Sequence, residues 1–161
     1  LIAHIMLKHH FYVRQSIPAI THHLQKVTLK HGEKYPYIAE VGFLFAQTAT
    51  ELIHHMQKEE TILFPRIQQV YHSRHAAVLP HSFLSGPIAV MEAEHTSAGN
   101  NLYRIRSLTN NYTPPEDACT THRLLLDELK SFEEDLHTHV HLENNILFFF
   151  FLKMLREKAK C

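Results

Sequence analysis

The sequence predicts an all-α protein: one domain of 161 residues folded as an up-down-up-down four-helix bundle. Three observations predict it. Apolar residues recur at alternating steps of three and four in four separate stretches, the period of a helix with one buried face. Glycine is scarce, with 4 in the chain, and the prolines cluster between the periodic stretches. Each stripe also carries a histidine where a leucine would be the obvious filler.

The first helix is striped by Met6, His10, Val13, Ile17, Ile20, Leu24 and Val27. Pro18 lies inside it and removes a backbone donor, so it kinks or loosens the helix without ending it. Gly32 and Pro36 close the segment. The second helix is striped by Phe45, Thr48, Leu52, His55, Glu59 and Ile62; it runs from about Ile38 to about His72, with a second kink at Pro65. Residues 73–87 contain Pro80, Gly86 and Pro87 and read as a long connection, with a short helical piece near Ala76-Ala77-Val78. The third helix opens at Ser85-Gly86-Pro87, where Pro87 suits a first turn. Its stripe is Ile88, Met91, His95, Ala98, Leu102 and Ile105, and the breaker Asn110-Asn111-Tyr112-Thr113-Pro114-Pro115 ends it. The fourth starts near Glu116 or Asp117, since acids favour the positive end of the helix dipole. Phe132, Leu136, His139, Glu143, Ile146 and Phe150 stripe it, and it runs to about Lys158.

Composition narrows the function classes. Formal net charge is zero with histidine neutral, so nothing suggests a nucleic-acid or anionic-membrane partner. No apolar run reaches the roughly 18 residues of a spanning helix, and no signal peptide is visible. Cys119 and Cys161 make no disulfide framework, which leaves a reducing cytoplasm as the expected compartment. The chain starts at Leu1 already in helical period, so we expect an excised domain whose natural N-terminal part is missing.

A short pattern occurs twice. His55 precedes Glu59 by four residues and Ile62-Leu63-Phe64 follows; His139 precedes Glu143 by four and Ile146-Leu147-Phe148 follows. Residues four apart share one face of a helix, so each copy aims an imidazole and a carboxylate the same way. One such copy is common by chance. Two copies with the same downstream run, plus His10 and His95 on the other two stripes, form a specific constellation. A buried glutamate is costly unless it is paired or bound to a metal. The four histidines lie within one or two turns of a common level, counted from the loops at 1.5 Å per residue.

The candidate ligands are therefore His10, His55, Glu59, His95, His139 and Glu143. They are nitrogen and carboxylate donors with no thiolate, which suits iron better than structural zinc. Two histidines per metal and two bridging glutamates give each of two ions four protein ligands. Six-coordinate iron would keep room for an oxo or hydroxo bridge and one exogenous ligand, so a non-haem di-iron site is expected. His31 lies about 30 Å along the helix from His10 and is excluded. His22, His23, His54, His72, His75, His81, His122, His137 and His141 are off the stripes or in loops. Glu60 reads as a solvated charge, and Glu94 as either a supporting acid or an exposed one. Phe148 to Phe151 read as core or interface filler, and Cys119 as structural.

At these residues the chain resembles the hemerythrin-like di-iron proteins that repair iron–sulfur clusters, the repair-of-iron-centres family. The matching pieces are His55-Met56 with Lys58-Glu59-Glu60 and Ile62-Leu63-Phe64-Pro65; Gly86-Pro87-Ile88 with Val90-Met91-Glu92 and Glu94-His95; Ala98-Gly99; Tyr112-Thr113-Pro114-Pro115 with Ala118-Cys119-Thr120-Thr121; and His139 with Leu142-Glu143-Asn144-Asn145. The first helix matches more weakly, through His10 and Pro18. One departure is Phe149, where the family pattern has proline.

The resemblance implies a cytoplasmic protein induced by nitric oxide and oxidative stress. It implies restoration of damaged iron–sulfur clusters, by iron donation or by nitric oxide chemistry at the di-iron centre, and the same six ligands. The implied partners are damaged iron–sulfur proteins or cluster assembly factors, with nitric oxide or oxygen as small ligands. A homodimer is possible, although no stripe demands one. Such a repair factor differs from a conventional enzyme. Oxygen-carrying hemerythrins use a further histidine one turn after the third-helix ligand; here that position is Gly99. Two competing readings are an oxygen or iron binding, sensing or storage module built on the same centre, and a metal-free helical interaction domain.

Overall fold

A computed structural model describes residues 1–72 and 82–158. Among these, all regular structure is helical. Four long helices follow one another: α1 (2–31), α2 (37–72), α3 (Ser82–Leu108) and α4 (120–158). Pro18 sits inside α1 without ending it.

Cross-helix pairs fix the topology. His10 meets Glu60 where α1 faces α2. Arg66 reaches Phe83, His55 meets Glu94 and Arg104 meets Glu40, so α2 and α3 run antiparallel. His95 meets Asn144 across α3 and α4, while His9 meets Asp135 and His23 meets Glu128 across α1 and α4. Each helix is antiparallel to its neighbours, giving the expected up-down-up-down bundle, and the two motif helices α2 and α4 lie diagonally.

Two boundaries differ from the sequence reading. α3 is already helical at Ser82, three residues before the expected opening, so Pro87 lies beyond its first turn. α4 begins at Thr120 after an extended Cys119, not at Glu116 or Asp117. Asp117 accepts instead from Tyr35 Oη at 2.5 Å and from Lys34, tying the turn before α4 to the α1–α2 connection. The short helical piece expected near Ala76-Ala77-Val78 lies outside the described residues. Between α3 and α4, Asn110, Asn111 and Tyr112 all take positive φ (48°, 58° and 59°), a region that asparagine tolerates and tyrosine rarely enters. Tyr112 is held there by its buried hydroxyl, which donates to Glu133 Oε2 at 2.9 Å.

The core is divided. One apolar cluster takes Val13 to Val27 of α1, Ile38 to Met56 of α2, Ala98 to Ile105 of α3 and Leu125 to Leu136 of α4. The other takes Ile5, Leu63 to Val70, Leu84 to Met91 and Leu147 to Leu155. Five of the six candidate ligands fall in the gap between these clusters on their own helices, and His55 lies at its edge, one residue before Met56. The polar layer is therefore sealed on both sides by buried hydrocarbon, whose burial stabilises the bundle by roughly 1.5–3 kcal/mol per large side chain.

Three of the four helices are wider beside the candidate ligands, and α3 is not. α1 takes π-helical form at Ile5–His10, α2 at Glu59–Leu63 and α4 at Leu142–Phe148. A π turn holds an extra residue, so the buried face slips by one position across it. Met6, Ile62, Ile146 and Phe150, expected on the buried stripes, are consequently exposed. Ile5, Leu63, Leu147 and Phe151 are buried in their place.

Candidate metal centre

The six candidate side chains converge. His10, Glu59, His139 and Glu143 form one group whose nitrogen and oxygen atoms lie within 4.8 Å of one another, and His55, Glu59, His95 and Glu143 form a second. All six residues are buried, His95 being the most exposed at 5%. The two groups share both carboxylates. Glu143 turns Oε1 toward His139 Nε2 (2.9 Å) and Oε2 toward His95 Nε2 (3.1 Å), one oxygen to each group. Glu59 Oε2 stands between His10 Nε2 (3.3 Å) and His55 Nε2 (3.4 Å).

The local helix geometry accounts for this convergence. His55 and Glu59, like His139 and Glu143, stack one turn apart on one face. The π turns then carry the chain past each glutamate while leaving the apolar positions on either side in the core. Phe64 stacks under His10 (5.8 Å between ring centres, 18° between planes) and Phe148 under His95 (6.4 Å, 4°).

The outer ring nitrogens settle which tautomer faces inward. His10 Nδ1 donates to Glu60 Oε1 at 2.6 Å, His55 Nδ1 to Glu94 Oε2 at 2.8 Å and His95 Nδ1 to Asn144 Oδ1 at 3.0 Å. Neutral rings that donate from Nδ1 carry a lone pair on Nε2. The inner nitrogens of His55 and His95 face each other at 2.9 Å, and that of His10 lies 3.2 Å from His139 Nε2, which donates to Glu143 Oε1. Neither oxygen of Glu59 has a hydrogen-bond donor among the described residues. Lone pairs and carboxylate oxygens packed this closely, out of water, repel each other unless a cation or protons lie between them. The donor set thus fits two cations that share two carboxylates.

Protonation shows the same pull on positive charge. Burial alone would lower the His10 pKa, but the surrounding carboxylates of Glu143, Glu59 and Glu60 outweigh it and raise it to about 9. His55 is likewise disfavoured as a cation by burial, yet Glu59 and Glu94 raise its pKa. Burial would push the Glu143 carboxyl up, but His10, His139 and His95 hold it well below the usual carboxylate range. Without metal, protons on the imidazoles partly fill the role a cation would take.

Several contributing residues were not read as such in the sequence. Glu60 is no solvated charge: it accepts from His10 and from both terminal nitrogens of Arg14 (2.9 and 3.0 Å). Glu94, left open between two roles, supports His55 and also accepts from Lys58. Asn144 and His9 were passed over. His9 is buried, donates from Nδ1 to Asp135 Oδ1 at 2.9 Å and stacks on His139 at 5.7 Å with 10° between planes. A signal was present, since Glu60 and Asn144 each follow a glutamate ligand candidate directly and Arg14 lies one turn after His10. His122, set aside with the others, is buried on α4 beside Tyr37, far along the helix from the cluster. A cleft of about 650 Å³ between α2 and α3 is lined by Glu51, Lys58 and Glu94 among others; none of the six cluster residues lines it, and Glu94 links it to His55.

Comparison with known proteins agrees with the geometry. The hemerythrin HHE cation binding domain matches residues 1–150. The chain is 41% identical over 148 residues to a protein named iron-sulfur cluster repair protein YtfE from Yersinia pseudotuberculosis serotype IB (strain PB1/+). A protein of the same name from Yersinia pestis (strain Pestoides F) is also 41% identical, and one from Yersinia pseudotuberculosis serotype O:1b (strain IP 31758) is 40% identical. Each alignment covers 92% of this chain and 63% of the relative, so the chain spans a little under two thirds of the relatives' length.

Proposed function

Because the chain belongs to the hemerythrin HHE cation binding domain family, we propose that His10, His55, Glu59, His95, His139 and Glu143 hold two non-haem iron ions, and that the protein uses them to repair iron–sulfur clusters damaged by nitrosative or oxidative stress. The observation that carries the reading is the pair of four-residue groups sharing Glu59 and Glu143, one imidazole pair on each side. The names of the relatives support the choice of process.

A pair of iron ions bound there would supply one-electron chemistry and sites for small ligands such as nitric oxide or oxygen. The chain's own residues do the rest. Glu60, Glu94 and Asn144 fix the ring orientations of His10, His55 and His95. Phe64 and Phe148 exclude water from one side. If iron is the cargo, the cleft lined by Glu51 and Glu94 offers hard carboxylate oxygens beside His55, whose Nδ1 donates to Glu94. Gly99 leaves open space where a further imidazole would stand, which favours an exposed coordination position over tight reversible oxygen storage. The recipients in this reading are damaged iron–sulfur proteins or their assembly factors, met in the cytoplasm. Among the described residues no helix is long and apolar enough to cross a membrane.

The test is reactivation in vitro. Iron-loaded protein, added anaerobically to an iron–sulfur enzyme inactivated by nitric oxide, should restore its activity, while metal-free protein and a Glu143→Leu variant should not. Iron-loaded protein that fails to reactivate the enzyme but binds oxygen reversibly would instead make this an oxygen-binding module.

A further inference from the structure

Only the inner nitrogen of each cluster imidazole faces the cluster. What the outer nitrogen does divides the cluster into unequal halves. At the His55–His95 half both outer nitrogens are held, His55 by Glu94 and His95 by Asn144. At the His10–His139 half only His10 is held, by Glu60 at 2.6 Å. His139 Nδ1 is buried and finds no acceptor among the described residues.

Outer support for that half therefore passes through Glu60. Glu60 is braced in turn: Arg14 donates to Oε1 at 2.9 Å and to Oε2 at 3.0 Å, the two-pronged geometry that fixes a carboxylate's plane. Arg14 lies one turn after His10, so α1 supplies both the imidazole and the brace, while α2 supplies Glu60 beside Glu59. A carboxylate accepting Nδ1–H pins the ring, fixes the tautomer with its lone pair inward and makes that lone pair a better donor to a cation.

We propose that Glu60, braced by Arg14, is the positioning residue on which the His10–His139 metal position depends, and that this position is the first to lose its ion when the brace is cut. The inference rests on the reading of the six cluster residues as ligands for two ions. The opposite position, with two outer supports, tolerates the loss of one.

Competition titration with ferrous iron against a chelator, run anaerobically, tests this. Wild-type protein should take two irons per chain. Glu60→Ala should lose about 10–100-fold in affinity for one iron, the range typical of outer-shell substitutions, and keep the other near its wild-type value. Glu60→Gln, which keeps an acceptor without the charge, should fall between. Arg14→Leu, cutting the brace from its exposed side, should weaken the same iron by less. Asn144→Ala should disturb either iron less than Glu60→Ala does. A second readout locates the effect: in zinc-loaded, 15N-labelled protein the His10 Nδ1–H signal should be lost in Glu60→Ala and retained in Asn144→Ala. If wild type binds two irons and Glu60→Ala matches it, or weakens both equally, the positioning role is wrong while the ligand reading survives. If wild type binds no metal, the ligand reading fails and this inference fails with it.

Discussion

Replacing Glu59 by leucine should make the metal-free protein more stable while abolishing the metal centre. Glu59 is fully buried, and neither oxygen has a hydrogen-bond donor among the described residues; its nearest neighbours are His10 and His55 at 3.3 and 3.4 Å. Leucine is close to glutamate in volume and removes a charge that has left water. His10 keeps Glu60, and His55 keeps Glu94. Replacing buried ionic groups together by hydrocarbon stabilises by about 1–4 kcal/mol; exchanging Glu59 alone should give a gain at the low end of that range, because His10 and His55 lose a carboxylate that favours their protonated forms. At this chain length each kcal/mol moves the melting temperature by roughly 2–4 °C. Glu143→Leu provides the contrast, since Glu143 accepts from His139 at 2.9 Å and stands 3.1 Å from His95. Removing one partner of such a buried set costs about 3–5 kcal/mol. The assay is urea unfolding with chelator present, paired with metal analysis of the reconstituted proteins. A metal-free Glu59→Leu protein less stable than wild type, or as unstable as Glu143→Leu, would refute the view that Glu59 is held for a cation. Retention of two irons by either variant would refute the bridging assignment.

Metal uptake should release protons at neutral pH, because His10 titrates at about 9 in the metal-free fold; iron affinity should climb with pH, roughly tenfold per unit for each proton displaced, and level off above about 9. Metal-free stability should follow the opposite course on the alkaline side. His10 and His55 have folded pKa values raised above the ordinary 6.5, so their stabilisation is complete below 6.5 and is lost as pH rises through the folded values. Urea midpoints at pH 6 and pH 10 with chelator check this, and equal midpoints would contradict it. Tyr112→Phe leaves Glu133, which is 5% exposed, without its hydroxyl donor; a loss of about 1–3 kcal/mol with unchanged iron content is expected from thermal unfolding and metal analysis. Gly99→Ala enters open space in a regular helix and should stabilise by about 0.5–1 kcal/mol without changing iron content, read from the same two measurements.

The fold was legible because four stripes of 3.6-residue period survive in the sequence, one on each of the four long helices. The convergence of the six cluster residues was legible for the same reason: a histidine or glutamate on a buried stripe stands out against hydrocarbon. The π turns were not. Stepping by three or four through Glu59 and Glu143 assigns Ile62 and Ile146 to the core, and only a one-residue slip, which periodicity alone does not reveal, puts Leu63 and Leu147 there instead. The outer supports escaped for another reason. Glu60 and Asn144 point off the stripe of their own helix, and their partners lie 50 and 49 residues away on α1 and α3. Helix spacing describes one helix at a time, whereas these contacts depend on which helices are neighbours. The start of α4 was misplaced because Asp117 is engaged by Lys34 and Tyr35, a tertiary contact that overrides its preference for a helix N-terminus.

Anomalous diffraction at the iron edge, from crystals of protein reconstituted with ferrous iron, bears most directly on the whole scheme. Two peaks are expected, one amid His10, Glu59, His139 and Glu143 and the other amid His55, Glu59, His95 and Glu143. No peak between these side chains, or iron bound only elsewhere on the chain, would contradict it.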